Sequence, residues 1–270
     1  MFRSQRVALI IPCLDEEKAI GGVVREVDRA VVDDIIVVNN GSVDRSAERA
    51  AEAGAIVLSE PHQGYGSACL LGIAEARRRG AELYVFMDGD GSDDPRQLES
   101  LLRKLDDERL DLVIGSRVLG EPEPGALTPV QLFGNSLTCQ LVRLFWGVSF
   151  TDLGPFRAIT AAALARLEMA DPDFGWTIEM QVKAAQRGLR VGEVPMRYRV
   201  RRHGKSKVSG TLRGTYMAGK RILGYVFTAK LVEVAPRFSS RLGISEREAR
   251  MTAARRAHAA LASEVEGGGR

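Results

Sequence analysis

The first 120 residues alternate between short apolar runs and amphipathic stretches. VALIIP (7–12) is a continuous apolar run closed by proline, the pattern of a strand buried on both faces. DIIVVNN (34–40), AIVLSE (55–60), LYVFMD (83–88) and LDLVIGSR (110–117) repeat it. Between them, residues 16–30, 42–54, 66–80 and 94–107 carry helical spacing. Ser42 or Asp44 is the expected N-cap of the second helix, Gly54 and Gly80 are expected stops, and Pro95 suits a first turn. Strands and helices alternating at this interval predict an α/β fold: an open, mostly parallel twisted sheet with helices on both faces. Ligands of such sheets bind beyond the carboxyl ends of the strands, where Asp15, Asn40, Asp88 and Arg117 fall.

Beyond residue 120 the alternation loosens. GEPEPGALTP (120–129) marks a boundary, and Phe133, Leu137, Leu141, Leu144, Phe145 and Val148 then form one helical stripe. A helix over 161–168, a second within 175–188 and a strand over 191–200 are expected to follow. Residues 197–221 hold nine Lys or Arg and no Asp or Glu. Leu212, Tyr216, Gly219, Leu223, Val226 and Phe227 form an apolar stripe flanked by Arg213, Lys220, Arg221 and Lys230. Such a basic amphipathic helix suits an anionic membrane surface, or covers the sheet or a second copy of the chain. The expected organisation is a ligand-binding half over 1–120 and a closing half of the same domain over 121–208. A surface helix over 209–235 follows, then a peripheral helix and disordered tail over 236–270.

Composition narrows the class. A net charge of +3 over 270 residues does not indicate a nucleic-acid binder. Cys13, Cys69 and Cys139 have no metal-ligand spacing, so buried thiols in a reducing compartment are expected. No apolar run reaches the length of a bilayer span and no signal-cleavage pattern opens the chain, which predicts a cytoplasmic protein whose membrane contact, if it makes one, is peripheral. His62 and His203 have no partners at ligand spacing and are expected to be ordinary loop residues.

The chemistry concentrates in MDGDGSDDP (87–95), where four aspartates fall within seven positions after an apolar strand. Alternate side chains of an extended segment share a face, so Asp88 and Asp90 can present two carboxylates to one Mg2+ or Mn2+. Asp93 and Asp94 precede Pro95 and are expected to cap the next helix. Solvated turn and cap residues are the alternative for all four.

IIPCLDEE, IIVVNNGSVDRS, GYGSACLLGI, MDGDGSDDP, IGSR, TDLGPFRAI and RRHGKSK occur in that order across residues 7–207. Together they resemble the family 2 glycosyltransferases of the GT-A fold, above all the polyprenyl-phosphate (dolichyl-phosphate) mannose or glucose synthases. The resemblance implies a nucleoside site at Pro12, Leu14 and Glu16, with Val38 and Asn40 around the base and Gly89 beside the nucleotide. It implies a divalent-cation site at Asp88, Asp90 and Ser92, and a phosphate grip from Arg117, Arg201, Ser206 and Lys207. Here Asn39-Asn40 replaces the family's usual Asp-Asp, and TDLGPFR is tighter than its common motif.

The implied activity is metal-dependent inverting transfer of a hexose from a UDP- or GDP-hexose to a polyprenyl phosphate. Transfer to a hydroxyl would call for a carboxylate base, for which Asp152 and Glu179 are the candidates; Asp90 is expected to act in the reaction as a cation ligand. A nucleotide-sugar-binding module without turnover is the third reading.

Overall fold

The computed structural model describes residues 1–201, 203 and 212–239. Seven strands form one sheet: β1 (Val7–Cys13), β2 (Asp34–Asn39), β3 (Ile56–Ser59), β4 (Leu83–Phe86), β5 (Leu112–Ser116), β6 (Arg157–Thr160) and β7 (Val191–Pro195). Their spatial order is β3-β2-β1-β4-β6-β5-β7. The pairs β1–β2, β2–β3, β1–β4 and β5–β7 are parallel, while β6 runs antiparallel to both β4 and β5.

The helices are α1 (Ile20–Glu26), α2 (Ser46–Glu52), α3 (Tyr65–Arg78), α4 (Leu98–Asp107), α5 (Pro129–Trp146), α6 (Ala161–Leu167), α7 (Trp176–Gln186) and α8 (Leu212–Ser239). Successive β1 side chains enter opposite cores. Ala8 and Ile10 join a cluster with α3, α5, α6, α7 and Val226 of α8, whereas Val7, Leu9 and Ile11 join one with α1 and α4. Both faces of the sheet are thus covered, as uninterrupted apolar strands require.

Strand β6 is absent from the sequence-based expectation. It comprises only RAIT, beginning with a fully buried arginine, so neither apolar continuity nor alternation marks it. Its reversed direction matters for the site. Arg157 pairs with Phe86, so the segment preceding β6 lies at the edge where β1 and β4 end. The expected strand over 191–200 stops at Pro195, and residues 197–201 instead run along the acidic segment after β4. There Arg197 N–H donates to Gln97 Oε1 at 2.8 Å, and Arg199 N–H to the Ser92 carbonyl at 2.8 Å.

Local capping departs from expectation at α2, whose N-cap is Arg45; Asp44 Oδ1 accepts from Ser46 N–H at 2.9 Å. On α8, Val226 is buried against the core while Phe227 is exposed, so the expected stripe is split between two faces. Phe227 packs edge-on to Phe145 of α5 with centroids 5.7 Å apart. Near that contact α5 exposes Leu144, at 75 %, and α8 exposes Leu231; Phe133 of α5 is also exposed, at 70 %. No helix among the described residues is long and apolar enough to cross a membrane.

Candidate active site

The site is built where β1, β2, β4 and β5 end. After β4 the chain delivers Asp88 and Asp90 with Gly89 between them. A Cβ on Gly89 would lie 3.2 Å from Ile11 Cγ2 and from Ile20 Cδ1, so glycine lets the aspartate pair pack down onto β1 and α1. Gly91 turns the chain at φ 78°, and Ser92 N–H donates to Asp90 Oδ1 at 2.9 Å.

The expected cap pair separates. Asp94 is the N-cap of the turn of 3-10 helix at Pro95–Gln97 and accepts from Arg96 N–H. Arg199 reaches it at 2.8 Å. Burial opposes its ionisation, but hydrogen bonds from Arg96 and the Arg199 charge hold its carboxyl below the usual range. Asp93 is buried as well but turned the other way: Asp88 N–H lies 3.5 Å from its Oδ2. Asp93 is a third member of the acidic cluster and not a helix cap.

Burial and the crowding of like charge act together on these carboxyls. Burial, reinforced by Asp90, pushes the Asp88 pKa up to about 7. Asp93 is driven well above the carboxylate range by burial and then by Asp88 and Asp90. A cation held between these carboxylates would relieve their mutual repulsion. Among the described residues no group of three His, Cys, Asp or Glu side chains is arranged to hold a metal. Asp88 and Asp90 supply hard oxygen donors on alternate residues, a donor set whose chemistry fits Mg2+ or Mn2+.

Positive charge arrives from two other segments. Arg201 pairs with Glu16 and, at 3.3 Å, with Asp90, while its Nε donates to the His203 carbonyl at 2.9 Å. Three residues expected at the nucleoside, the cation and the phosphates therefore meet in one ion cluster. Arg117 is held more rigidly. Asp152 accepts from its backbone N–H at 2.8 Å and from Nε and Nη2 at 2.7 Å each. The Tyr198 ring lies 5.1 Å from its Cζ. Burial lowers the Arg117 pKa, but the Asp152 hydrogen bonds outweigh it and leave the guanidinium firmly charged.

Both expected general bases are engaged elsewhere. Asp152 is fully buried with both oxygens on Arg117. Glu179 is buried, accepts from the Ala170 and Asp171 N–H groups at 3.0 and 2.9 Å, and pairs with Lys183 at 2.8 Å. Neither is placed as a base; one orients Arg117 and the other braces the loop before α7. Gly154 permits the first arrangement, because a Cβ there would stand 2.7 Å from the Gly115 carbonyl oxygen.

Other expected positions also change role. Val38 is fully buried in the α3-facing core, where even-numbered β2 positions point, so its side chain cannot line the base site. The Asn40 amide is taken up by the chain: it donates to the Glu60 and His62 carbonyls at 3.2 and 2.8 Å and accepts from Gly64 N–H at 2.7 Å. Pro12 and Leu14 remain partly accessible at the end of β1. The following loop borders an open cleft lined by Asp15, Glu17, Lys18, Asp44 and His203. Ser92 is buried and enters the site through its amide. Ser206 and Lys207 lie outside the described residues.

Two arginines escaped the sequence reading. Arg199 pairs with Glu26 and Asp94. Arg157 is fully buried with the Leu153, Gly154 and Thr177 carbonyls as partners, and burial pulls its pKa down to about 10. Its position in TDLGPFR was the available signal.

A mostly parallel sheet with one reversed strand, an acidic pair ending β4 and arginines converging on it define a GT-A glycosyltransferase. The model of glycosyl transferase family 2 matches residues 8–165, and the chain belongs to that family. An uncharacterised glycosyltransferase of Mycobacterium tuberculosis is 36% identical over 78% of this chain and 94% of its own length. The polyprenol monophosphomannose synthase of Mycolicibacterium smegmatis is 31% identical over 77% of this chain and 83% of its own. An undecaprenyl-phosphate mannosyltransferase of Micrococcus luteus is 30% identical, covering 77% and 90%. Among solved structures, glucosyl-3-phosphoglycerate synthase of Mycobacterium tuberculosis with Mn2+, UDP-glucose and phosphoglyceric acid superposes with a TM-score of 0.66. It covers 84% of this chain and 80% of that one, at 21% identity, a likeness of fold.

Proposed function

We propose that this glycosyltransferase transfers a hexose, mannose or glucose, from a UDP- or GDP-hexose to a polyprenyl phosphate with inversion at the anomeric carbon. Residues 1–120 hold the donor and residues 121–208 close over the sugar. Asp88 and Asp90 hold the divalent cation, with Ser92 fixing Asp90. Pro12, Leu14 and Glu16 border the nucleoside and Gly89 seats the pair. Arg117 and Arg201, with Ser206 and Lys207, receive the diphosphate. The bound cation supplies charge neutralisation to the departing diphosphate.

The observation that carries the choice of acceptor is the engagement of Asp152 and Glu179. A hydroxyl acceptor needs a carboxylate to take its proton, and both candidates are locked in other contacts. A phosphate acceptor is already anionic at neutral pH. Its oxygen forms the new bond to the anomeric carbon while the bond to the nucleoside diphosphate breaks, and no proton moves. Placement and charge stabilisation then carry the rate, and an arginine fixed in advance by Asp152 is suited to both.

The two mannosyltransferase relatives support a lipid phosphate, and the apolar surface of α5 and α8 supports peripheral contact with an anionic membrane at its cytoplasmic face. Transfer of labelled hexose from a panel of UDP- and GDP-sugars, with Mn2+, tests the acceptor. A short-chain polyprenyl phosphate is expected to take the label into solvent-extractable product. Label passing only to phosphoglycerate or to a sugar hydroxyl contradicts the proposal.

A further inference from the structure

Asp88 has a hydrogen-bond partner far from it in sequence. Tyr65, the first residue of α3, donates its hydroxyl to Asp88 Oδ1 at 3.1 Å. The tyrosine is held on three sides. Its ring meets Trp176 edge-on with centroids 6.1 Å apart, and Trp176 tilts onto Phe86, two residues before Asp88, at 4.7 Å. Behind it, the glycines of GYGS admit the loop before α7: a Cβ on Gly64 would lie 2.2 Å from the Pro172 carbonyl oxygen, and one on Gly66 1.9 Å from that of Asp171. Ser67 N–H donates to the Pro172 carbonyl at 2.8 Å. The start of α3 is thereby closed by protein, and the glycine-rich segment serves packing.

A neutral phenol is an apt partner for a metal-binding carboxylate. It occupies one oxygen without adding charge and fixes the plane of the group, leaving the second oxygen as the donor. We propose that Tyr65 is a positioning residue for the cation site, setting through its hydroxyl how Asp88 is presented. The proposal rests on the assignment of Asp88 and Asp90 as cation ligands, so its test separates the two. Mn2+ binding to the full chain is followed by electron paramagnetic resonance, alone and with UDP or GDP.

Tyr65→Phe keeps the ring packing and removes only the donor. It is expected to weaken Mn2+ binding roughly 10- to 100-fold with the thermal midpoint unchanged. Replacement of Tyr65 by 3-fluorotyrosine, which retains the hydroxyl, is expected to restore affinity to within about threefold of the native protein, on the same donor argument. Native-like Mn2+ affinity in Tyr65→Phe, alongside loss of binding in Asp90→Asn, overturns the role of Tyr65 and leaves the cation site standing. Failure of the fluorinated residue to bind Mn2+ overturns it equally. Native-like affinity in Asp90→Asn overturns the site assignment and the proposal together.

Discussion

Replacing Asp90 with asparagine is expected to lower hexose transfer by roughly 100- to 1,000-fold while leaving the fold intact. The asparagine carbonyl can still accept from Ser92 N–H, so the turn after β4 is preserved. What disappears is the second negative charge of the proposed cation seat. In the unliganded protein that loss relieves repulsion, because the Asp90 charge opposes ionisation of both Asp88 and Asp93. Arg201 keeps Glu16 as a partner. Steady-state transfer with Mn2+, paired with a melting curve, checks both halves of the expectation. Full activity in this variant would mean that the cation, if one acts, is held elsewhere.

Asp152→Ala is expected to destabilise the protein by about 3–5 kcal/mol, measured by denaturant unfolding. The magnitude follows from what remains: Arg117, 16 % exposed, loses the bidentate partner that its burial demands. A general base at this position would behave differently, since its removal would lower turnover with little effect on stability. Unfolding within about 1 kcal/mol of the native protein, combined with lost transfer, would return Asp152 to a chemical role, because a buried pair broken on one side costs several times more. Methionine at position 117 in the alanine background removes the orphaned charge and should recover part of the stability.

The apolar strands and the acidic pair were legible because burial and charge are written directly in residue type. Five strands follow from continuous apolar runs, and the place of Asp88 and Asp90 follows from the strand they end. The remainder depends on contacts that spacing does not encode. Strand β6 is four residues long and opens with an arginine whose partners are carbonyls from two other segments. Asp93 and Asp94 are equivalent on paper, but one side chain suffices to cap the turn, and the other is buried beside Asp88. Val38 follows strand periodicity into the core, which a motif match ignores. The pairing of Arg117 with Asp152, 35 positions apart, converts an expected base into a brace. Tyr65 lies 23 positions from Asp88, and nothing local announces their contact.

Anomalous diffraction at the manganese edge, from crystals of the protein with Mn2+ and the nucleoside diphosphate that binds it, tests the site most directly. A single anomalous peak is expected between the diphosphate and the carboxylates of Asp88 and Asp90, with Arg201 turned from Asp90 onto a phosphate oxygen. A peak away from both carboxylates, or a diphosphate bound while Arg201 stays on Asp90 and Glu16, would contradict it.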